Sequence, residues 1–103
     1  MMGMDEQVRL VEYINFYNND IHEDTPQRYL VNALQTFKRE TGVTMTTLAD
    51  KIGISTHSFY KLTNKTQGSR YRPSFEMFVL IVTGMNIGLE MAMQGLLMAD
   101  YSS

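Results

Sequence analysis

Residues 56–64 combine two apolar positions with side chains that donate and accept hydrogen bonds. The polar members are Thr56, His57, Ser58, Tyr60, Lys61 and Asn64. Phe59 and Leu62 lie between them at a spacing of three, which turns both toward one side of a helix. The remaining side chains then face outward and suit contacts with base edges in a DNA major groove. The alternatives are that His57 is a surface histidine without a functional contact and that Tyr60 is half-buried and stabilises the helix.

A basic, glycine-containing segment follows at residues 65–73. Its cations are Lys65, Arg70 and Arg72, and its hydroxyl groups include those of Thr66 and Ser69. We predict that this loop binds phosphate oxygens, because clustered cations and small donors recognise a phosphate backbone whatever its sequence. A solvated turn is the alternative interpretation.

The charge distribution supports a polyanion-binding segment. The chain has a net charge of −2, yet residues 38–72 hold seven basic and two acidic side chains. Residues 1–30 hold six acidic and two basic side chains, and residues 73–103 hold three acidic side chains and no basic one. A basic centre between acidic ends indicates one polyanion-binding face.

The other polar residues form no catalytic or metal-binding pattern. Cysteine is absent, which excludes disulfides and thiolate zinc sites. There is no glycine-rich phosphate loop and no nucleophile with a paired acid and base. His22 lies in the acidic stretch 20–24, where a flexible loop is a better interpretation than a metal site. We therefore predict neither enzymatic activity nor a cofactor or metal.

The elements that must position these residues are helices. Two prolines and the lack of alternating apolar residues predict an all-α chain. The predicted helices cover residues 4–18, 26–41, 45–52, 56–64, 75 to Gly84 or Asn86, and 88–99. Capping patterns predict their ends, with N-caps at Thr25, Thr44, Ser55 and Ser74 and left-handed glycines at Gly42 and Gly53.

The segment Gly53-Ile54-Ser55 joins two short helices through a tight turn, and Ala49 lets the helices approach closely. The sequence Leu48-Ala49-Asp50-Lys51-Ile52-Gly53-Ile54-Ser55, followed by Phe59 and Leu62, resembles the lambda-repressor-like helix-turn-helix family, which includes repressors, Cro and xenobiotic-response-element proteins. A looser similarity runs from about Leu30 to about Ala92.

This resemblance implies a five-helix DNA-binding domain at residues 25–103, preceded by an extra N-terminal helix and acidic loop at residues 1–24. Helix 56–64 would be the recognition helix of a bacterial or phage transcriptional regulator that binds specific double-stranded DNA. Its contacts would come from the side chains that the helix turns outward and from the basic loop: Thr46, Thr56, His57, Ser58, Tyr60, Lys61, Asn64, Lys65, Ser69, Arg70 and Arg72.

Two further surfaces predict protein partners. Residues 75–98 are apolar around most of the helix circumference and rich in methionine, which indicates either plain core packing or a homodimer interface; we favour the homodimer. The N-terminal helix carries Tyr13, Phe16 and Tyr17, so a helical adaptor or antitoxin is the alternative function. Gly84, Asn86 and Gly88 interrupt the apolar stretch, so we predict no membrane span and a cytoplasmic protein.

Overall fold

The computed structural model describes residues 4–63 and 72–101, and every regular element in those ranges is helical. The all-α prediction is therefore confirmed. The helices are α1 (Met4–Asn15), continued by a π-helical turn (Phe16–Asp20), then α2 (Thr25–Thr41), α3 (Met45–Ile52), α4 (Thr56–Thr63), α5 (Phe75–Gly84) and α6 (Leu89–Tyr101).

Most helix ends lie where the capping patterns predict them. Gly42 ends α2 with φ of 73° and donates its N–H to the Lys38 carbonyl oxygen. The Thr44 hydroxyl accepts from the Thr47 N–H at 3.1 Å, which satisfies one free amide at the start of α3. Ser74 does the same for α5 by accepting from Met77, also at 3.1 Å.

The N-cap prediction at Thr25 is wrong. Thr25 is already inside α2, and Asp24 occupies the N-cap position without a side-chain capping bond. The physical reason is burial: Thr25 is fully buried, so its hydroxyl needs a partner in the interior. It donates to Asp100 Oδ1 of α6 at 2.8 Å. The first predicted helix also continues further than expected, through the π-helical turn to Asp20.

The two predicted parts of the chain, residues 1–24 and 25–103, share one hydrophobic core. Tyr17 and Ile21 are buried in the same cluster as residues from α2 to α6. The rest of the chain contributes Met85, which follows α5, and the helix residues Leu30, Leu34, Leu48, Ala49, Phe59, Phe78, Ile81, Val82, Ala92, Met93 and Leu96. The Tyr17 ring packs edge-on against Phe75 and lies 5.3 Å from the Phe78 ring, measured between centroids.

The two apolar C-terminal helices are separated by a sharp bend. Asn86 has a left-handed φ of 62° between them. Within the described ranges, no single helix is long and apolar enough to cross a membrane. The segments α5 and α6 have the required length and composition only when taken together, and they are bent by 113° at the break.

Candidate nucleic-acid interface

The turn between α3 and α4 is built around Gly53. Its φ is 89°, a left-handed conformation that costs glycine nothing because it has no Cβ. The Gly53 N–H donates to the Ala49 carbonyl oxygen at 2.9 Å, and the Ile54 N–H donates to the same oxygen at 3.1 Å. These bonds satisfy the end of α3 while the chain changes direction, as predicted.

Burial on one side of each helix fixes the α3–α4 unit, which we define as residues 44–63. Leu48 and Ala49 of α3 and Phe59 of α4 are buried in the core, as predicted. Ile52 and Ile54 are half-buried against it. The side chain of Leu62, the other predicted anchor of α4, lies outside the described part of the structure.

Gly84 lets α5 approach α3 closely. A Cβ atom at this position would lie 2.7 Å from Ile52 Cγ1, which is closer than van der Waals contact allows. The sequence pattern predicts Gly84 only as a helix breaker. Its closeness to Ile52 shows a second role, because the missing side chain makes room for the rear of α3 and so helps to support the α3–α4 unit.

The start of α4 is capped as predicted and open to solvent. The Ser55 hydroxyl accepts from the Ser58 N–H at 3.1 Å, and the two hydroxyl groups lie 2.8 Å apart. Ser55, His57 and Ser58 are all exposed. The first turn of α4 therefore presents backbone amides and small polar side chains to solvent, next to the positive end of the helix dipole.

The remaining predicted contact residues divide into three groups. Thr46, Tyr60 and Lys61 are exposed, and Thr56 is half-buried. With His57 and Ser58, these residues lie on α3 and α4, the two helices that the turn at Gly53 joins. The predictions at Asn64, Lys65, Ser69 and Arg70 concern positions outside the described residues.

Arg72 forms the third group, because its guanidinium binds the N-terminal segment. It donates to the Tyr17 carbonyl oxygen, and its Cζ lies 5.0 Å from the centroid of the Tyr17 ring. The Tyr17 hydroxyl in turn donates to the Pro73 carbonyl oxygen at 2.6 Å. Burial raises the pKa of Tyr17 above its usual range, so this hydroxyl keeps its proton. The charge of Arg72 predicts a phosphate contact, whereas in the structure its guanidinium contacts Tyr17.

Exposed basic side chains lie on several of the helices around the core. Lys38 and Arg39 are in the last turn of α2, and Lys51 is in the last turn of α3. Lys61 is in the last turn of α4, a helix that contains no acidic residue. Lys51 also donates to the Gly84 carbonyl oxygen at 3.3 Å, at the C-terminal end of α5 where a cation is favoured.

A polar cluster on another part of the molecule joins the 20–24 loop to the end of α6. Asp100 Oδ1 accepts from the His22 backbone N–H at 2.9 Å and lies 2.9 Å from His22 Nδ1. The hydrogen bonds from the His22 amide, the His22 ring and the Thr25 hydroxyl lower the pKa of Asp100 from 3.8 to about 2. Arg28 donates to the Thr25 hydroxyl oxygen at 3.2 Å.

This cluster was not predicted, since His22 and Asp100 are 78 positions apart and no local pattern connects them. Its contacts are those of a structural tie between the start of α2 and the end of α6. Among the described residues there is no group of three or more histidine, aspartate or glutamate side chains placed to hold a metal ion.

Comparisons of the chain with protein-family models, with curated proteins and with solved structures found no match.

Proposed function

We propose that the chain is a sequence-specific double-stranded DNA-binding protein of the lambda-repressor-like helix-turn-helix type, and a transcriptional regulator. The observation that carries this proposal is the contrast between the buried side and the exposed side of α4. Phe59 is fully buried, whereas His57, Ser58, Tyr60 and Lys61 are exposed and none of them is acidic. A short helix that is anchored to the core by one buried aromatic ring and has a polar and basic exposed face suits a DNA major groove.

In this proposal the exposed residues of α4 have two kinds of task. His57 and Ser58, at the N-terminal end, meet base edges and so determine sequence preference. Lys61, together with Thr46 at the start of α3, meets the phosphate backbone and adds affinity on every sequence. The cations of the 65–70 segment, Lys65 and Arg70, extend the phosphate contacts. The engagement of Arg72 with Tyr17 favours a supporting role for that residue.

The test is binding to duplexes selected from a random double-stranded pool, measured by fluorescence anisotropy over a range of salt concentrations. We expect Lys61→Ala to weaken binding to all duplexes and to reduce the slope of log affinity against log salt by about 1. We expect His57→Ala to change the ranking of duplexes, by about 1–3 kcal/mol at the base it reads. Arg9→Ala, which removes the same charge from α1, is the matched control and should change neither.

Two results would reject the proposal or part of it. Absence of binding to the random pool at low salt would reject DNA binding itself. Equal losses for His57→Ala and Lys61→Ala on every duplex would reject α4 as the recognition helix and leave only a general affinity for DNA.

We also propose that the protein is a homodimer through residues 75–98. Met91 and Met98 lie seven residues apart on the same side of α6 and are 68% and 70% exposed. They therefore form an exposed apolar pair on one helix face, unlike a single scattered surface residue. A dimer would place two copies of α4 on the two halves of a palindromic operator. Analytical sedimentation of the wild type and of the double variant Met91→Glu/Met98→Glu tests this proposal. We expect the wild type to sediment as a dimer and the double variant as a monomer. A monomeric wild type would reject the homodimer.

A further inference from the structure

A cleft of about 350 Å³ runs between α1 and α6, on surfaces that the proposed DNA contacts do not use. Its apolar walls are Tyr13 and Phe16 from the N-terminal segment and Met93 and Leu97 from α6. Tyr13 and Phe16 pack against the core only in part. The cleft is therefore a groove with aromatic, aliphatic and thioether walls, the composition of surfaces that receive an amphipathic helix.

The rim of this groove is acidic. Glu12 and Glu90 lie along it, and both are exposed. Helices α5 and α6 contain no lysine or arginine. Arg9 of α1 contacts this rim: its Nη1 lies 3.9 Å from Glu90 Oε2, and both side chains are more than half exposed. Such an exposed pair contributes little to stability, so an incoming cation can replace Arg9 beside Glu90.

We propose that this groove binds a basic amphipathic helix of a partner protein. Apolar side chains at helical spacing would enter between Phe16 and Leu97, and flanking lysines or arginines would face Glu12 and Glu90. Charge complementarity selects this occupant. A second copy docked through the same face would bring the same carboxylates against each other, and an anionic membrane surface would be repelled by them.

The proposal does not depend on DNA binding, because the groove contains none of the residues assigned to DNA. It also differs from the homodimer proposed through residues 75–98, because the exposed α6 residues that support that dimer, Met91 and Met98, do not line the groove. Loss of DNA binding, loss of the dimer and loss of helix binding are therefore three separate outcomes in three separate assays.

The test uses the full chain and a synthetic helical peptide of about 18 residues, with leucines on one face and lysines beside them. The matched probe has glutamate in place of every lysine. Calorimetric titration should show micromolar binding of the lysine peptide, weakened by salt, and binding of the glutamate peptide at least about tenfold weaker. The double reversal Glu12→Lys/Glu90→Lys should invert this preference.

Variants on α6 locate the binding site. Leu97→Gln should weaken the lysine peptide about tenfold, because it removes an apolar contact inside the groove. Met91→Gln, on the outer side of the same helix, should change affinity less than about twofold. Circular dichroism and the urea midpoint identify a variant that fails to fold. In that case the charge-reversal pair, which changes only exposed side chains, still decides the question.

Four results would overturn the proposal. They are absence of binding, equal affinity for the lysine and glutamate peptides, an unchanged preference after the double reversal, and equal losses for Leu97→Gln and Met91→Gln. A dimer that Leu97→Gln dissociates and that excludes the peptide would overturn it too, since the occupant of the groove would then be a second copy.

Discussion

The α3–α4 unit and the N-terminal segment, residues 4–24, are held in place by contacts of different range. In the α3–α4 unit the capping bonds join residues three positions apart, as between Thr44 and Thr47. In the N-terminal segment Tyr17 contacts Pro73, 56 positions away. Local contacts are encoded in a short run of sequence, whereas distant ones exist only once the rest of the fold is present. The caps and the turn of the α3–α4 unit are therefore specified by nearby residues, whereas the position of the N-terminal segment is specified by its surroundings.

The largest effect we expect comes from the distant contact. Tyr17 is 1% exposed, and it joins Phe75, Phe78, Arg72 and Pro73. We predict that Tyr17→Ala lowers the free energy of unfolding by about 3–5 kcal/mol, measured by urea denaturation, because it opens a cavity in the shared core. Tyr17→Phe should cost about 1 kcal/mol, because it loses only the hydrogen bond to Pro73.

Tyr101→Ala is the control, because that side chain is 83% exposed near the end of α6. We expect it to change stability by less than about 0.5 kcal/mol. If Tyr17→Ala were equally mild, the N-terminal segment would be an appendage and the comparison between the two regions would fail.

The second effect concerns the turn of the α3–α4 unit. Apart from its two chain neighbours, no residue comes within 4 Å of a Cβ placed at Gly53, so the cost of a side chain there comes from the left-handed backbone. We predict that Gly53→Ala costs about 1–2 kcal/mol in urea denaturation and weakens DNA binding, because α4 depends on this turn for its direction. Gly88→Ala is the matched control: its Cβ would also meet open space, and its φ is not positive.

We expect Gly88→Ala to lie within about 0.5 kcal/mol of the wild type. Equal costs at Gly53 and Gly88 would mean that the turn conformation is not what holds α3 and α4 together.

The difference in range explains which features could be predicted. The caps at Thr44, Ser55 and Ser74 and the turn at Gly53 follow from a residue type and its immediate neighbours, so their positions are confirmed. Thr25 has the same local pattern as a cap, yet its hydroxyl is used by Asp100. No window around residue 25 contains that information, because it depends on where α6 ends.

The same reasoning applies to the candidate site. The exposure of His57 and Lys61 follows from helical spacing around Phe59, and the structure agrees with it. The charge of Arg72 and its place in a basic segment predict a phosphate contact. Its contact with Tyr17 depends on how α1 and α5 are arranged, and charge alone does not reveal a partner. Gly84 is similar, since its closeness to Ile52 depends on helix packing.

The smallest effect concerns the second distant tie, at Asp100. Hydrogen bonds from His22 and Thr25 lower the pKa of this carboxyl from 3.8 to about 2, so the folded protein binds its proton less tightly than the unfolded chain does. The stability that these bonds contribute is fully present above about pH 4 and is lost as the pH falls toward 2. We predict that Asp100→Asn lacks this part of the acid dependence of the urea midpoint.

Asp50→Asn is the matched control for Asp100→Asn. Asp50 lies on the exposed side of α3, so its replacement leaves the contacts among Asp100, His22 and Thr25 intact. Because Asp50→Asn keeps these contacts, it should retain the acid-dependent fall in urea midpoint that they give the wild type between pH 5 and pH 2, the range over which most of their contribution is lost. The difference between Asp100→Asn and the wild type should shrink over the same range. Parallel curves for both variants would show that the tie between the 20–24 loop and α6 adds nothing to stability, leaving Tyr17 as the contact that holds the N-terminal segment.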